Sequence, residues 1–155
     1  MLNNITTVSK SVNLVNEIYD TFTKKEQMFV TGGDVRPWYV RQQEYDKEGF
    51  VVYSSVTLDG STPVSFLDVF SLDGVGEISL GVRKSERGKG FAKNEVRKLL
   101  LWYDKNKDSL DVLSWCVNRK NEASVSLAES FGFQRDPDRD FDNDWIAYRY
   151  VSFFA

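Results

Sequence analysis

Residues 77–93, Glu-Ile-Ser-Leu-Gly-Val-Arg-Lys-Ser-Glu-Arg-Gly-Lys-Gly-Phe-Ala-Lys, constrain the fold of this chain more than any other stretch. Ile78, Leu80 and Val82 alternate with Glu77, Ser79 and Gly81, the period of two that marks a strand. A basic turn follows, Arg87-Gly-Lys-Gly-Phe-Ala. Val96, Leu99, Leu100 and Tyr103 then share one face of a helix running to about Lys105. A strand, a glycine-bearing turn and a helix make the backbone of a phosphate cradle. Gly88 and Gly90 lack the Cβ atoms that would hold a ligand away. The free N–H groups of the helix's first turn, aided by its dipole, then face that ligand.

The charge of the chain supports a local anionic ligand over a long polyanion. The net charge is −3, yet Arg83 to Lys98 carry seven basic residues against Glu86 and Glu95. That stretch is +5, so the remainder is −8. A positive patch on an acidic protein does not suit general nucleic-acid binding. The sequence has no histidine, which excludes a Ser-His-Asp triad, a Cys-His pair and a His-based zinc site. No metal is expected. Cys116 is alone, so no internal disulfide forms, consistent with a reducing compartment. No apolar signal core and no run of ~20 apolar residues is present. We read a soluble, cytoplasmic protein without a membrane partner, either monomer or homodimer. At 155 residues, 41% hydrophobic, the chain suits one domain spanning 1–155 with its own core.

The rest of the chain supplies a sheet. Val8, Val12, Val15, Ile18, Tyr19 and Phe22 recur at helical steps and predict one amphipathic helix over 7–25, capped by Thr6 or Thr7. No convincing strand precedes it. Residues 27–31 read as a short strand broken by Gly32-Gly33, and residues 38–42 as another extended piece. Residues 50–58 and 63–70 read as strands joined through Asp59-Gly60, and Asp73-Gly74 turns into the strand at Glu77. Residues 110–117 form an apolar strand, expected parallel to the Glu77 strand through a right-handed crossover. A short helix capped by Asn121 and stopped at Gly132 leads to a last strand pair, 133–135 and 145–153.

Arg87-x-x-Gly90-x-Ala92 resembles the Gln/Arg-x-x-Gly-x-Gly/Ala motif of the GNAT superfamily of N-acetyltransferases. Downstream, Asn121-Glu-Ala-Ser-Val-Ser-Leu-Ala-Glu-Ser-Phe-Gly-Phe133 resembles that family's second signature, an Asn-capped helix ending in Gly-Phe. The likeness covers residues 77–133 well and the remainder loosely. It implies an α+β fold: a mixed, mostly antiparallel twisted sheet with helices on both faces. It also implies acetyl-coenzyme A as co-substrate, with its pyrophosphate held by Arg87, Gly88, Lys89, Gly90, Phe91 and Ala92. Its pantetheine arm would lie along Leu80, Gly81 and Val82, a place where family members often bulge and Gly81 would tolerate it. Asn121 either caps its helix or also touches the cofactor.

Two chemical roles also follow from the resemblance. Glu77 stands where some members carry a glutamate that deprotonates the amine through water, and a carboxylate beside an apolar sheet suits a base near neutrality. An exposed strand-start carboxylate is the plain alternative. Many members carry a tyrosine four residues before the Gly of Gly-Phe, acting as acid to the leaving thiolate; here that position is Ala128. Cys116 lacks a histidine partner and is not expected to act as a nucleophile. Asp136, Asp138, Asp140, Asp142 and Asp144 begin like a calcium loop, but Phe141 and Ala147 stand where Gly and Glu are required. The run is either a solvated loop or a negative rim attracting a cationic acceptor. The expected function is direct acetyl transfer to a primary amine in a ternary complex. The rivals are a non-catalytic acyl-coenzyme A-binding module and a phosphate- or nucleic-acid-binding domain.

Overall fold

The computed structural model describes residues 5–8, 12–31, 44 and 47–151. The strands are β1 (Ile5–Val8), β2 (Val51–Asp59), β3 (Thr62–Leu72), β4 (Val75–Val82), β5 (Val112–Asn118), β6 (Phe133–Arg135) and β7 (Trp145–Tyr150). The helices are α1 (Val12–Tyr19), α2 (Lys24–Thr31), α3 (Phe91–Lys105) and α4 (Glu122–Ser130). The strands form one seven-stranded sheet in the order β1-β2-β3-β4-β5-β7-β6. Every neighbouring pair is antiparallel except β4–β5, which is parallel with α3 as its crossover. This is the mixed α+β architecture expected from the sequence.

β3 is an interior strand and is buried from Pro63 to Phe70. Its alternate side chains feed two cores. Phe66 faces α1, where it joins Val15, Ile18, Tyr19, Phe22 and Val56. Leu67 and Val69 face the other way, into a larger cluster with Val96 and Leu99 of α3 and Leu113, Trp115 and Val117 of β5. Fully burying a Phe or Leu contributes about 1.5–3 kcal/mol, so this strand anchors both layers. The β3–β4 hairpin closes through Asp73-Gly74, both at positive φ (52° and 82°), the two-residue turn whose twist matches the strands.

The N-terminal segment departs from the sequence reading in three ways. Ile5–Val8 forms β1, paired antiparallel with β2 from Ile5↔Asp59 to Val8↔Val56, so Thr6 and Thr7 lie in a strand and cap no helix. The single helix expected over 7–25 is two helices. The break at residues 20–23 is stabilised by the Thr21 hydroxyl donating to the Ile18 carbonyl (2.7 Å) and by a fresh start at Thr23. There, the Glu26 amide donates to Thr23 Oγ1 (3.2 Å) and the Thr23 amide to Glu26 Oε1 (2.8 Å), a capping box. Residues 27–31 are therefore helical and not a strand. The extended piece expected over 38–42 lies outside the described residues. The last strand runs Trp145–Tyr150, and residues 152–153 of the expected strand lie outside the described residues.

One buried charge ties α3 to the sheet. Glu95 is 0% exposed. Its Oε1 accepts from Lys98 Nζ (2.6 Å), Thr57 Oγ1 (2.5 Å) and Ser55 Oγ (3.4 Å). Its Oε2 is buried without a hydrogen-bond partner among the described residues. Removing one member of a buried ion pair strands the other, at a cost of about 3–5 kcal/mol. Lys98 reaches solvent (31% exposed) and recovers part of that. Glu95→Ala is thus expected to lower unfolding stability by roughly 3 kcal/mol in a urea titration. A change below about 1 kcal/mol would show that the pair does not anchor the helix.

Candidate functional site: a cleft through the split sheet

Only Val75–Glu77 of β4 pair with Val112–Ser114 of β5. Past these three pairs the parallel strands part, β4 staying with β3 to Val82 and β5 with β7 to Asn118. The gap opens a cleft of about 770 Å³ lined from both faces of the sheet. Glu77, Leu80, Gly81, Val82, Arg87, Gly88, Gly90, Phe91, Ala92 and Asn121 all line it. Lys89 does not: its Nζ binds Glu86 Oε2 at 2.9 Å.

The half of the cleft that carries the Gly88–Gly90 loop lies on the α3–α4 side. Gly90 is the N-cap of α3 at φ 88°, and Gly88 has φ 80°. Both lie in the left-handed region that other residues enter at a cost of about 1–2 kcal/mol. A Cβ built at either would meet no protein atom within 4 Å, so the space beside both is open. The helix's first-turn N–H groups and dipole favour an anion there. Asn121 caps α4, accepting from the Ser124 amide through Oδ1 (3.4 Å), while its Nδ2 donates to Ser124 Oγ (3.0 Å). Ala128 is wholly buried, and no tyrosine lines the cleft among the described residues.

Gly81 is glycine for a packing reason. The β3–β4 register runs unbroken from Leu72↔Val75 to Ser65↔Val82, so no bulge occurs at Gly81. A Cβ there would lie 2.5 Å from Phe66 Cε1 and 3.0 Å from Phe22 Cζ. Gly81 thus lets two aromatic rings of the α1 core reach the strand beside the cleft.

The other half of the cleft is on the α1–α2 side. Strand alternation puts Glu77 and Ser79 of β4 on the same face as Gly81, and Ser114 and Cys116 of β5 opposite Leu113 and Trp115. Glu77 and Ser114 are register partners. Ser79 Oγ and Ser114 Oγ are buried without partners among the described residues. Helix α2 adds Glu26, Phe29 and Val30, and the segment entering β7 adds Phe141 and Trp145. These residues escaped the sequence reading. The signal that could have found α2 was Thr23-x-x-Glu26, a capping-box pattern overlooked inside an apparently continuous helix.

Glu26 also joins the two halves. Its carboxylate pairs with Arg87, whose guanidinium stacks 4.9 Å from the Phe22 ring centroid. Burial opposes the charge on Glu26, but the Thr23 amide and the Arg87 guanidinium outweigh it, and its carboxyl is held below the ordinary value. Much of the basic stretch is neutralised in this way: Arg83 with Glu17, Arg87 with Glu26, Lys89 with Glu86, Lys98 with Glu95. Burial pushes the Cys116 thiol up to about 11, and the charges of Glu77, Asp140 and Asp142 push the same way. A thiol so raised stays protonated at neutral pH and makes a poor nucleophile.

The aspartate run is built into the loop that carries Phe141. Asp140 takes a two-pronged bond from Arg135 (2.7 and 2.8 Å) and accepts the Ala147 amide at 2.7 Å. The Arg135 bond foremost, then the Ala147 amide, hold its carboxyl down to about 2. Asp142 Oδ1 accepts the amides of Asp144 and Trp145, both at 2.8 Å. Asp136 pairs with Arg139 at 3.3 Å. Three of the five aspartates, Asp136, Asp140 and Asp142, fix the shape of this segment, while Asp138, Asp142 and Asp144 are exposed. A depressed carboxyl stabilises the fold above its unfolded value and loses that contribution as pH falls through the folded one. Wild type is therefore expected to exceed Asp140→Asn in stability at pH 6. The difference should shrink between about pH 4 and 2 in parallel denaturation series. A difference constant down to pH 2 would contradict this.

The family model for the GNAT acetyltransferase family matches residues 15–133, and the chain belongs to that family. No curated protein matches the sequence. Solved structures do. An N-acetyltransferase from Staphylococcus aureus Mu50 is 18% identical, covering 96% of this chain and 98% of its own, with a TM-score of 0.69. An acetyltransferase from Agrobacterium tumefaciens C58 is 16% identical, covering 97% and 92%, with a TM-score of 0.76. YncA of Salmonella typhimurium, solved with its cofactor acetyl-CoA, is 15% identical, covering 96% and 94%, with a TM-score of 0.70. At these identities the likeness shows the fold. No helix among the described residues is long and apolar enough to cross a membrane.

Proposed function

We propose that this protein transfers the acetyl group of acetyl-coenzyme A to a primary amine. The observation that carries this is the coincidence of the β4–β5 gap with the Gly88–Gly90 loop on one continuous cleft. Backbone N–H groups of residues 88–92 hold the pyrophosphate, and Arg87, which lines the cleft while paired with Glu26, turns to it only if that pair opens. Lys89, turned to Glu86, adds charge at a distance and no contact. The pantetheine arm runs in the gap along Leu80–Val82, with Asn121 and Ser124 on its far side. The freed N–H groups of the parted strands are suited to the oxyanion that forms on the thioester carbonyl.

In the transfer step the amine nitrogen attacks the thioester carbon. The C–N bond forms, the C–S bond breaks, and coenzyme A leaves as thiolate. Glu77, directly or through water, takes the proton lost by the amine. With Ala128 in place of tyrosine, the thiolate takes its proton from water or from Ser124. Cys116, kept protonated, argues for direct attack over a covalent acetyl-enzyme.

The buried Ala128 is the observation that favours the second reading, a domain that holds acyl-coenzyme A without chemistry. Two measurements separate the cases. Acetyl-coenzyme A should raise the melting temperature, and thiol release over an amine panel should exceed the amine-free rate. Stabilisation without release would leave a binding module. Absence of both would overturn the proposal. A nucleic-acid role is disfavoured because four of the seven basic residues of the stretch Arg83 to Lys98 are paired with carboxylates.

A further inference from the structure

We infer that the acceptor is a primary ammonium carried on a compact apolar, aromatic body that bears no acidic group. This rests on the proposed acetyl transfer and names the substrate class of its open half. That half has apolar walls on opposite sides: Phe29 and Val30 from α2, Phe141 and Trp145 from the segment entering β7. Phe70, the register partner of Glu77 on β3, lies beside it. The floor is polar, with the Glu77 carboxylate and the Ser79 hydroxyl, the latter 6% exposed and unpartnered among the described residues. Phe141 is 82% exposed, an aromatic ring held at the mouth of a cleft on a loop whose shape Asp140 and Asp142 fix.

Each part of the acceptor follows from one of these features. An ammonium group donates three hydrogen bonds, which a carboxylate and an unpartnered hydroxyl can accept. Among the described residues the basic lining groups are Arg87 and Lys93, both on the phosphate loop and its helix. The acceptor half has none among the described residues, and the charges of Glu77, Asp140 and Asp142 are felt at Cys116 within it. A carboxylate on the acceptor would therefore be repelled. Opposed aromatic walls favour a flat apolar body, since an aromatic pair is stabilised beyond the area it buries. A long polyamine would lay further charged groups against apolar walls.

The test uses the purified full chain with acetyl-coenzyme A, following thiol release with 2-phenylethylamine, tryptamine, phenylalanine, spermidine and an alanine-initiated peptide. The expected result is a kcat/KM for 2-phenylethylamine or tryptamine at least about tenfold above each of the others. Phenylalanine differs from 2-phenylethylamine only by its carboxylate and isolates the charge argument. Phe141→Ala should raise the KM for 2-phenylethylamine about fivefold or more and leave that for acetyl-coenzyme A unchanged. Preference for spermidine or the peptide, or binding of acetyl-coenzyme A with no turnover of either aryl amine, would overturn the inference while leaving cofactor binding intact. Failure to bind acetyl-coenzyme A at all would overturn the underlying function as well.

Discussion

Gly90→Glu is expected to fold and to lose the stabilisation that acetyl-coenzyme A gives the wild type. A ligand at about 100 times its Kd stabilises the native state by about 2.7 kcal/mol, which for a chain of this size raises the melting temperature roughly 5–10 °C. Gly90 stands at φ 88° at the start of α3, with no protein atom within 4 Å of a Cβ built there. A side chain would thus enter the space assigned to the pyrophosphate, and glutamate adds like charge to bulk. If its Kd rises a hundredfold, the shift at the same ligand concentration falls to about 1 °C. The left-handed backbone costs the variant about 1–2 kcal/mol of its own. Gly90→Asn is the control, because asparagine tolerates that region and carries no charge. It should melt closer to wild type and still bind weakly. Equal shifts in wild type and Gly90→Glu would remove the loop from the site.

Glu77→Gln should lower turnover by about 10²-fold or more with the best amine, while acetyl-coenzyme A stabilises the variant as it does wild type. Glutamine keeps the shape and hydrogen-bonding reach of the side chain and removes its basicity. Glu77 is the last β4 residue paired with β5, so it stands where the strands begin to part. The loss should narrow at high pH, where the amine is already neutral. Near-normal turnover at pH 7 would shift the role to water or another carboxylate. Asp68 is a poor substitute, being 0% exposed and bonded by Ser54 Oγ at 2.5 Å. Asp73 lies in the β3–β4 turn.

The side of the candidate site proposed for the cofactor was legible because its parts are contiguous in sequence. Strand, glycine loop and helix occupy one run, and the Asn121 cap lies in a second short motif. Such features are local, and alternation or capping chemistry reveals them. The side proposed for the acceptor was not legible. Phe29 and Val30 come from a helix that sequence periodicity merged with α1. Phe141 and Trp145 come from an aspartate-rich loop whose acids mask its aromatic content. What brings them together is the parting of β4 and β5, a tertiary event without a local signature. β1 was missed because a four-residue edge strand has too few residues to display a period. Gly81 illustrates a right residue with a different reason. It serves close packing by Phe66 and Phe22, and the bulge it would have tolerated does not occur.

A crystal structure of the protein grown with acetyl-coenzyme A is the most direct test of the central claim. The account predicts electron density for the pyrophosphate against the amides of residues 88–92. It places the thioester in the β4–β5 gap, with its carbonyl toward the face that carries Glu77 and Ser79. Density for the cofactor outside the gap, or an empty gap at saturating ligand, would contradict it.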